Sequence, residues 1–203
     1  MQTALSAGFI LAIVLWGVIS PDTMGPMFET ALATVTRNFG WFYLWVVLGM
    51  VVFVVFLAFS RYGNLKLGGD DDEPEFALGS WFSMLFAAGM GIGLVFFGVA
   101  EPISHYIEAP PGTISNTPEA AGAAMRYTFF HWGIHPWAVY SAVALAIAFF
   151  QYRRGGVALV STVTDALPWP IVKHMGGFFN GLAVVATAFG VAASLGVGAL
   201  QIN

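Results

Sequence analysis

Residues 76–100 read FALGSWFSMLFAAGMGIGLVFFGVA, twenty-five positions with no charged side chain and with glycines at 89, 91 and 93. A charge-free apolar run of this length exceeds the roughly 20 residues a helix needs to cross a ~30 Å hydrocarbon core. The glycines sit awkwardly in it. Each costs a helix interior about 1 kcal/mol relative to alanine. A spacing of two also places Gly89, Gly91 and Gly93 on opposite faces, whereas packing through small residues uses a spacing of four on one face. The spacing predicts a helix locally unwound over Ala87-Ala88-Gly89-Met90-Gly91-Ile92-Gly93. Unwound backbone at membrane depth is tolerated where it lines a cavity, and its freed carbonyls suit a bound cation. Close helix packing is the competing reading.

The rest of the chain has the same character. Residues 1–21, 38–60, 127–152 and 175–203 also lack Asp, Glu, Lys and Arg. Five transmembrane helices are predicted, over 3–21, 38–60, 79–100, 130–151 and 177–201. Hydrophobic residues make up 58% of the 203 positions and charged ones 9%, with a mean hydropathy of +0.79. So few charges cannot solvate the surface of a compact core, which excludes an ordinary soluble enzyme and a disordered chain. Seven basic residues and a net charge of −4 exclude a nucleic-acid binder, which needs clustered Lys and Arg. The absence of Cys removes disulfide frameworks and thiolate metal sites. The fold class is an all-α polytopic membrane protein whose first partner is the lipid bilayer. The first span lacks the basic lead-in of a signal peptide.

Orientation follows Lys and Arg in the short loops. With the N-terminus cytoplasmic, that side holds Arg61, Lys66, Arg153, Arg154 and Lys173, and the opposite side only Arg37 and Arg126. The acidic run Asp70, Asp71, Asp72, Glu73, Glu75 reads as a solvated connector. In the polar stretch 101–126, Thr117 before Pro118 predicts a helix start, with Thr117 as N-cap and Pro118 at the first position. The Ala-Ala-Gly-Ala-Ala-Met run after it reads as a short interfacial helix. Leu200-Gln201-Ile202-Asn203 follows an apolar helix without a polar tail, so the chain reads as cut off.

Several side chains stand out. Glu101, just before Pro102, closes the third span as either an anchor or a gating group, since a carboxylate near the membrane is a functional candidate. His131 and His135 have the spacing of a shared metal, but no Glu follows His131 and no third ligand is evident. A catalytic metal is therefore not expected there, nor zinc in the purified protein. Trp132, Trp137 and Tyr140 fall within about 140° of arc on a regular helix, with Pro136 able to disturb it. They form either an interfacial aromatic belt or a box that binds a quaternary ammonium by cation–π attraction. The residues alone leave both open. In the fifth span, Ala186, Gly190, Ser194 and Gly198 make a small-residue stripe for packing. Thr187 beside it either bonds its own helix or ligates an ion.

At these residues the sequence resembles the betaine/carnitine/choline transporter family. The matching runs are SWFSMLFAAGM (80–90), GMGIGLVFFGVAEPISHY (89–106), FFHWGIHPWAVYSAVALAIAFFQYR (129–153) and TAFGVAASLGVGALQIN (187–203). Residues 1–79 match by position and hydropathy. The resemblance implies a twelve-helix secondary transporter of LeuT-like inverted-repeat fold, commonly trimeric. In it two peripheral helices precede two five-helix repeats, so this chain carries the peripheral pair and three helices of repeat one.

Residue by residue, the resemblance implies that the unwound helix and substrate contacts fall on Gly89, Met90, Gly91 and Gly93. The carbonyls of Ala87 and Met90 would help hold a sodium ion. Trp132, Trp137 and Tyr140 would form one wall of an aromatic substrate box whose other wall belongs to the second repeat. Thr187 falls at the threonine of a second sodium site, but the partner position one turn later is Val191, which weakens that site. Gly93 stands where proton-coupled relatives often carry Asp, so it leans towards sodium. The function implied is alternating-access uptake of a trimethylammonium-type or related solute (glycine betaine, choline, carnitine or dimethylsulfoniopropionate) in the inner or plasma membrane. No cofactor is expected beyond the coupling sodium ion. The alternative is a truncated transporter-like membrane protein that acts as a sensor or assembly partner, or is non-functional alone.

Overall fold

The computed structural model describes the backbone of residues 2–89 and 91–202. Helix makes up 81% of the described residues, and no strand occurs among them. Among the described residues nine α-helices follow one another: α1 (Gln2–Ile19), α2 (Pro21–Phe59), α3 (Leu78–Gly89), α4 (Ile92–Ile107), α5 (Pro118–Trp132), α6 (Ile134–Ala148), α7 (Val160–Asp165), α8 (Pro170–His174) and α9 (Gly176–Ile202). Among the described residues three stretches are long and apolar enough to cross a membrane: Pro21–Phe59, Pro118–Arg153 and Gly176–Ile202. Two shorter apolar helices cover Ala4–Ile19 and Leu78–Ala87. The chain is a membrane protein, and its burial agrees. Among the described residues the buried hydrophobic side chains are Ala120, Ala123, Ala124 and Ala138, while Phe59 is 90% exposed and Trp45 68%. Apolar surface on that scale is stable only against lipid or further protein.

Two compact units are present, one comprising Met1–Gly69 with Ala138–Phe189, the other Asp70–Trp137 with Gly190–Asn203. In the first, α1 meets α2 across the single residue Ser20. Its N–H donates to the Trp16 carbonyl at 2.8 Å, and the Trp16 indole donates to the Thr23 hydroxyl at 2.9 Å. Pro21 and Asp22 then open α2 with the residue types a helix N-terminus favours. α2 begins at Pro21 rather than near residue 38, which corrects the expected loop around Arg37. Its polar residues stay helical because their side chains bond back onto their own turn. Thr30 donates to the Pro26 carbonyl at 2.8 Å, Thr34 to Thr30 at 2.7 Å, and Asn38 to Thr34 at 2.8 Å. At 39 residues, α2 is about 58 Å long, nearly twice a hydrocarbon core. The half carrying Asp22, Glu29 and Arg37 therefore lies beyond it.

In the second unit, α4 and α5 form the closest helix pair. The connection between them is ordered from within: the Asn116 N–H donates to the Tyr106 carbonyl at 3.0 Å, and the Ala109 N–H to the Ser115 hydroxyl at 3.0 Å. Thr117 caps α5 by accepting from the Ala120 N–H at 3.2 Å, with Pro118 in the first turn. The buried face of α5, Ala120, Ala123 and Ala124, follows the i, i+3, i+4 stripe that lets backbones approach closely.

Two expectations are corrected here. The Ala-rich run after Pro118 is not a separate interfacial helix but the first half of α5, which runs on to Trp132. The break falls at Gly133. Pro136 sits in the first turn of α6, where a missing N–H costs nothing, and its ring would clash with the Trp132 carbonyl if the helix were continuous. Gly133 closes α5 at φ −81°, ψ −138°. A Cβ at that position would lie 2.4 Å from the Phe129 carbonyl oxygen, so only glycine fits.

The small-residue stripe of α9 is largely uncovered. Ala186, Gly190 and Ser194 are exposed, and Gly198 is buried.

Candidate functional site

The helix interruption lies where the glycine spacing puts it. α3 ends at Gly89 and α4 starts at Ile92. Gly91 caps α4 at φ −68°, ψ −143°, and a Cβ on it would come 3.3 Å from the Ala87 carbonyl oxygen. The last turn of a helix leaves carbonyls without partners in that helix, and Ala87 belongs to that turn. Ala87 also lines an open cavity of about 410 Å³ with Phe82, Ser83 and Phe86. Gly93 lies in the first turn of α4 and is half-buried. Met90, expected to supply a carbonyl, lies outside the described residues.

Downstream on α4, Glu101 is the hub of a polar cluster. Its two carboxylate oxygens receive different partners from α5: His131 Nδ1 on Oε1, and the Trp132 indole N–H donating to Oε2. His105, one turn along α4, brings its Nε2 to 3.4 Å from Oε1. The cluster continues into aromatic contacts. The His105 ring centroid lies 5.6 Å from that of Tyr127 and 5.5 Å from that of His131. Trp132 stacks on Phe97 at 5.5 Å and 27°. Glu101 thus holds the Trp132 ring through its N–H while Phe97 supports a face.

The predicted aromatic residues are distributed differently from the regular-helix expectation. Trp132 is the last residue of α5, whereas Trp137 and Tyr140 lie on α6 beyond the Gly133 break. The 140° arc computed for an unbroken helix therefore does not apply to Trp132. The same break separates His131 from His135, where no shared catalytic metal is expected. His131 reaches Glu101, while the His135 ring packs on Phe130 with centroids 4.3 Å apart. The partnership of Glu101 with residues 30 and 31 positions away was not anticipated. Its traceable signal is the pair of polar residues, Glu101 and His131, facing each other across a Pro- and Gly-rich turn.

Thr187 belongs to the first unit. It lines an open cavity of about 610 Å³ with Ser6 of α1, Asn180 of α9 and residues of the 158–160 segment. Asn180 is spent on Ser161: its carbonyl oxygen accepts from the Ser161 N–H at 2.9 Å and its amide donates to the Ser161 hydroxyl at 2.9 Å. The Ser6 hydroxyl donates to the Gly181 carbonyl at 3.4 Å. Thr187 and Ala87 lie in different units.

Known proteins resemble this chain closely. It is 53% identical over 193 residues to the glycine betaine transporter OpuD of Bacillus subtilis, covering 95% of this chain and 38% of that protein. A probable glycine betaine transporter of Desulfitobacterium hafniense is 47% identical over 203 residues, covering 98% and 40%. A betaine/ectoine transporter of Corynebacterium glutamicum is 40% identical over 201 residues, covering 98% and 32%. The chain spans about two fifths of the length of the first two relatives and about a third of the third. Residues 2–203 match the description of one family throughout, and the chain belongs to the betaine/carnitine/choline family of transporters.

Proposed function

We propose that this chain forms the N-terminal part of a sodium-coupled secondary transporter for a quaternary-ammonium compatible solute, with glycine betaine the first candidate. The observation that carries the reading is the interruption of an apolar, charge-free stretch between Gly89 and Ile92. A membrane helix keeps such a break only where its loose carbonyls gain a partner, and a sodium ion held by the Ala87 and Met90 carbonyls is that partner here. On this reading the fold is LeuT-like, with α1 and α2 peripheral and the later helices part of the first repeat. The N-terminus is cytoplasmic, the protein sits as a homotrimer in the inner or plasma membrane, and the second wall of the site comes from outside these 203 residues.

Relatives named for betaine and ectoine transport support a compatible-solute substrate. The chemistry of the chain fits such a ligand. A trimethylammonium head carries a diffuse charge with no hydrogen to donate, so aromatic faces suit it better than a carboxylate. Trp132, Trp137 and Tyr140 supply those faces, and the Glu101 bond to Trp132 orients one of them before the ligand arrives. Sodium and substrate are coupled because both favour the conformation in which the broken helix completes the box. Thr187 is a candidate for a second sodium contact, lacking a hydroxyl partner at Val191.

The test is uptake of labelled glycine betaine by cells that lack their own betaine uptake and express the gene. Uptake that requires external sodium and survives collapse of the proton gradient is expected. Uptake indifferent to sodium overturns the coupling, and no uptake of betaine, ectoine or choline overturns the transport reading.

A further inference from the structure

We propose that Glu101, His105 and His131 form a binding site for a divalent transition-metal ion of the zinc class, bridging α4 to α5. The site is distinct from the proposed sodium contacts and adjoins the substrate box at Trp132, whose indole N–H bonds Glu101. The three residues each offer one ligand atom, and these atoms all lie within 4.8 Å of one another. Two imidazole nitrogens and one carboxylate oxygen are the donor set of three-ligand zinc sites, which leave a fourth position open. Ligands about 2.0–2.1 Å from a tetrahedral ion stand roughly 3.3–3.4 Å apart. The 3.4 Å between His105 Nε2 and Glu101 Oε1 fits that edge better than it fits a hydrogen bond.

The state of His105 points the same way. Its Nε2 is buried and has no hydrogen-bond partner among the described residues. A buried imidazole nitrogen facing a carboxylate oxygen out of alignment is costly as it stands, and an ion between the two satisfies both. The His131 side chain is 46% exposed against 13% for Glu101, so the described residues leave the fourth position of the ion open. The direct His131–Glu101 hydrogen bond opens to admit it, and His131 takes the neutral tautomer that carries its proton on Nε2 and leaves Nδ1 free to ligate. The other carboxylate oxygen keeps the Trp132 indole N–H, an outer contact of the kind that fixes a metal-ligating carboxylate. No zinc is expected from the sequence because no third ligand is evident beside His131 and His135. The folded chain assembles a different trio.

Binding is measured on the purified protein in detergent, so its outcome is independent of whether transport is observed. Titration with Zn²⁺ against a chromophoric chelator is expected to show one ion per chain. His105→Ala, His131→Ala and Glu101→Gln should each weaken it by at least about tenfold, while His135→Ala and His174→Ala change it by less than about twofold. Circular dichroism identifies any variant that loses its helices. The unmodified protein supplies a measurement that needs no variant, since Co²⁺ in this site should give the intense visible bands of tetrahedral nitrogen and oxygen ligation. A pale, six-coordinate Co²⁺ spectrum, no Zn²⁺ binding, or an equal loss in His135→Ala overturns the proposal.

Discussion

The two interrupted helices use almost the same backbone and are built to opposite tolerances. Gly91 stands at φ −68°, ψ −143°, and Gly133 at φ −81°, ψ −138°. At Gly133 a Cβ would lie 2.4 Å from the Phe129 carbonyl oxygen, whereas at Gly91 the Ala87 oxygen is 3.3 Å away. Pro136 follows Gly133 within a turn and forbids the continuous helix, while no proline stands between Pro74 and Pro102. The Gly133 break is therefore fixed by sterics. The Gly91 break persists through the weak helix preference of three glycines and is open to bias by whatever binds its carbonyls. A rigid corner sets where α6 starts, and a compliant one can respond to a ligand.

The sharpest way to break this contrast is to add a methyl group to each. Gly133→Ala should cost on the order of 3 kcal/mol, the range of severe steric defects, and lower the melting temperature and the yield of folded protein. A variant as stable as the parent would show that the corner is not fixed. Next in size is the residue the corner places. Trp137→Ala should reduce betaine uptake at least about tenfold, as expected for a desolvated cation–π contact worth about 2 kcal/mol. Trp45→Ala, a residue 68% exposed, should leave uptake nearly unchanged. Equal effects of the two would remove Trp137 from the site.

At the compliant break the sign reverses. Gly91→Ala gains about 1 kcal/mol of helix preference, so thermal stability should hold or rise while the sodium concentration for half-maximal uptake increases about fivefold. A loss of stability like that of Gly133→Ala would make the two breaks equivalent. The smallest effect belongs to the start of the helix that ends at the rigid corner. Thr117→Ala removes the acceptor of the Ala120 N–H and should cost about 1 kcal/mol, read as a small fall in melting temperature with unchanged uptake.

What was legible beforehand follows the same division between local and distant causes. The interruption at 89–92 and the α5 start at Thr117-Pro118 depend on neighbours within a turn, and spacing alone carries them. The Gly133 break was foreshadowed only as a disturbance at Pro136, because the clash proline creates is felt by a carbonyl four residues earlier. α2 runs past its apolar part because Thr30, Thr34 and Asn38 satisfy their own turns, which a charge count reads as a loop. The Glu101 cluster joins side chains 30 positions apart, a distance closed by hydrogen bonds within the 108–117 turn that no periodicity contains.

The one-residue joint at Ser20 has a mechanical consequence. It is clamped by the Trp16 and Thr23 hydrogen bonds, so α1 is geared to α2 rather than tethered by a slack cord. A ten-degree change in the angle at that joint sweeps the far end of a ~58 Å helix through roughly 10 Å. The joint turns a tilt too small to disturb local packing into a displacement as wide as a neighbouring helix.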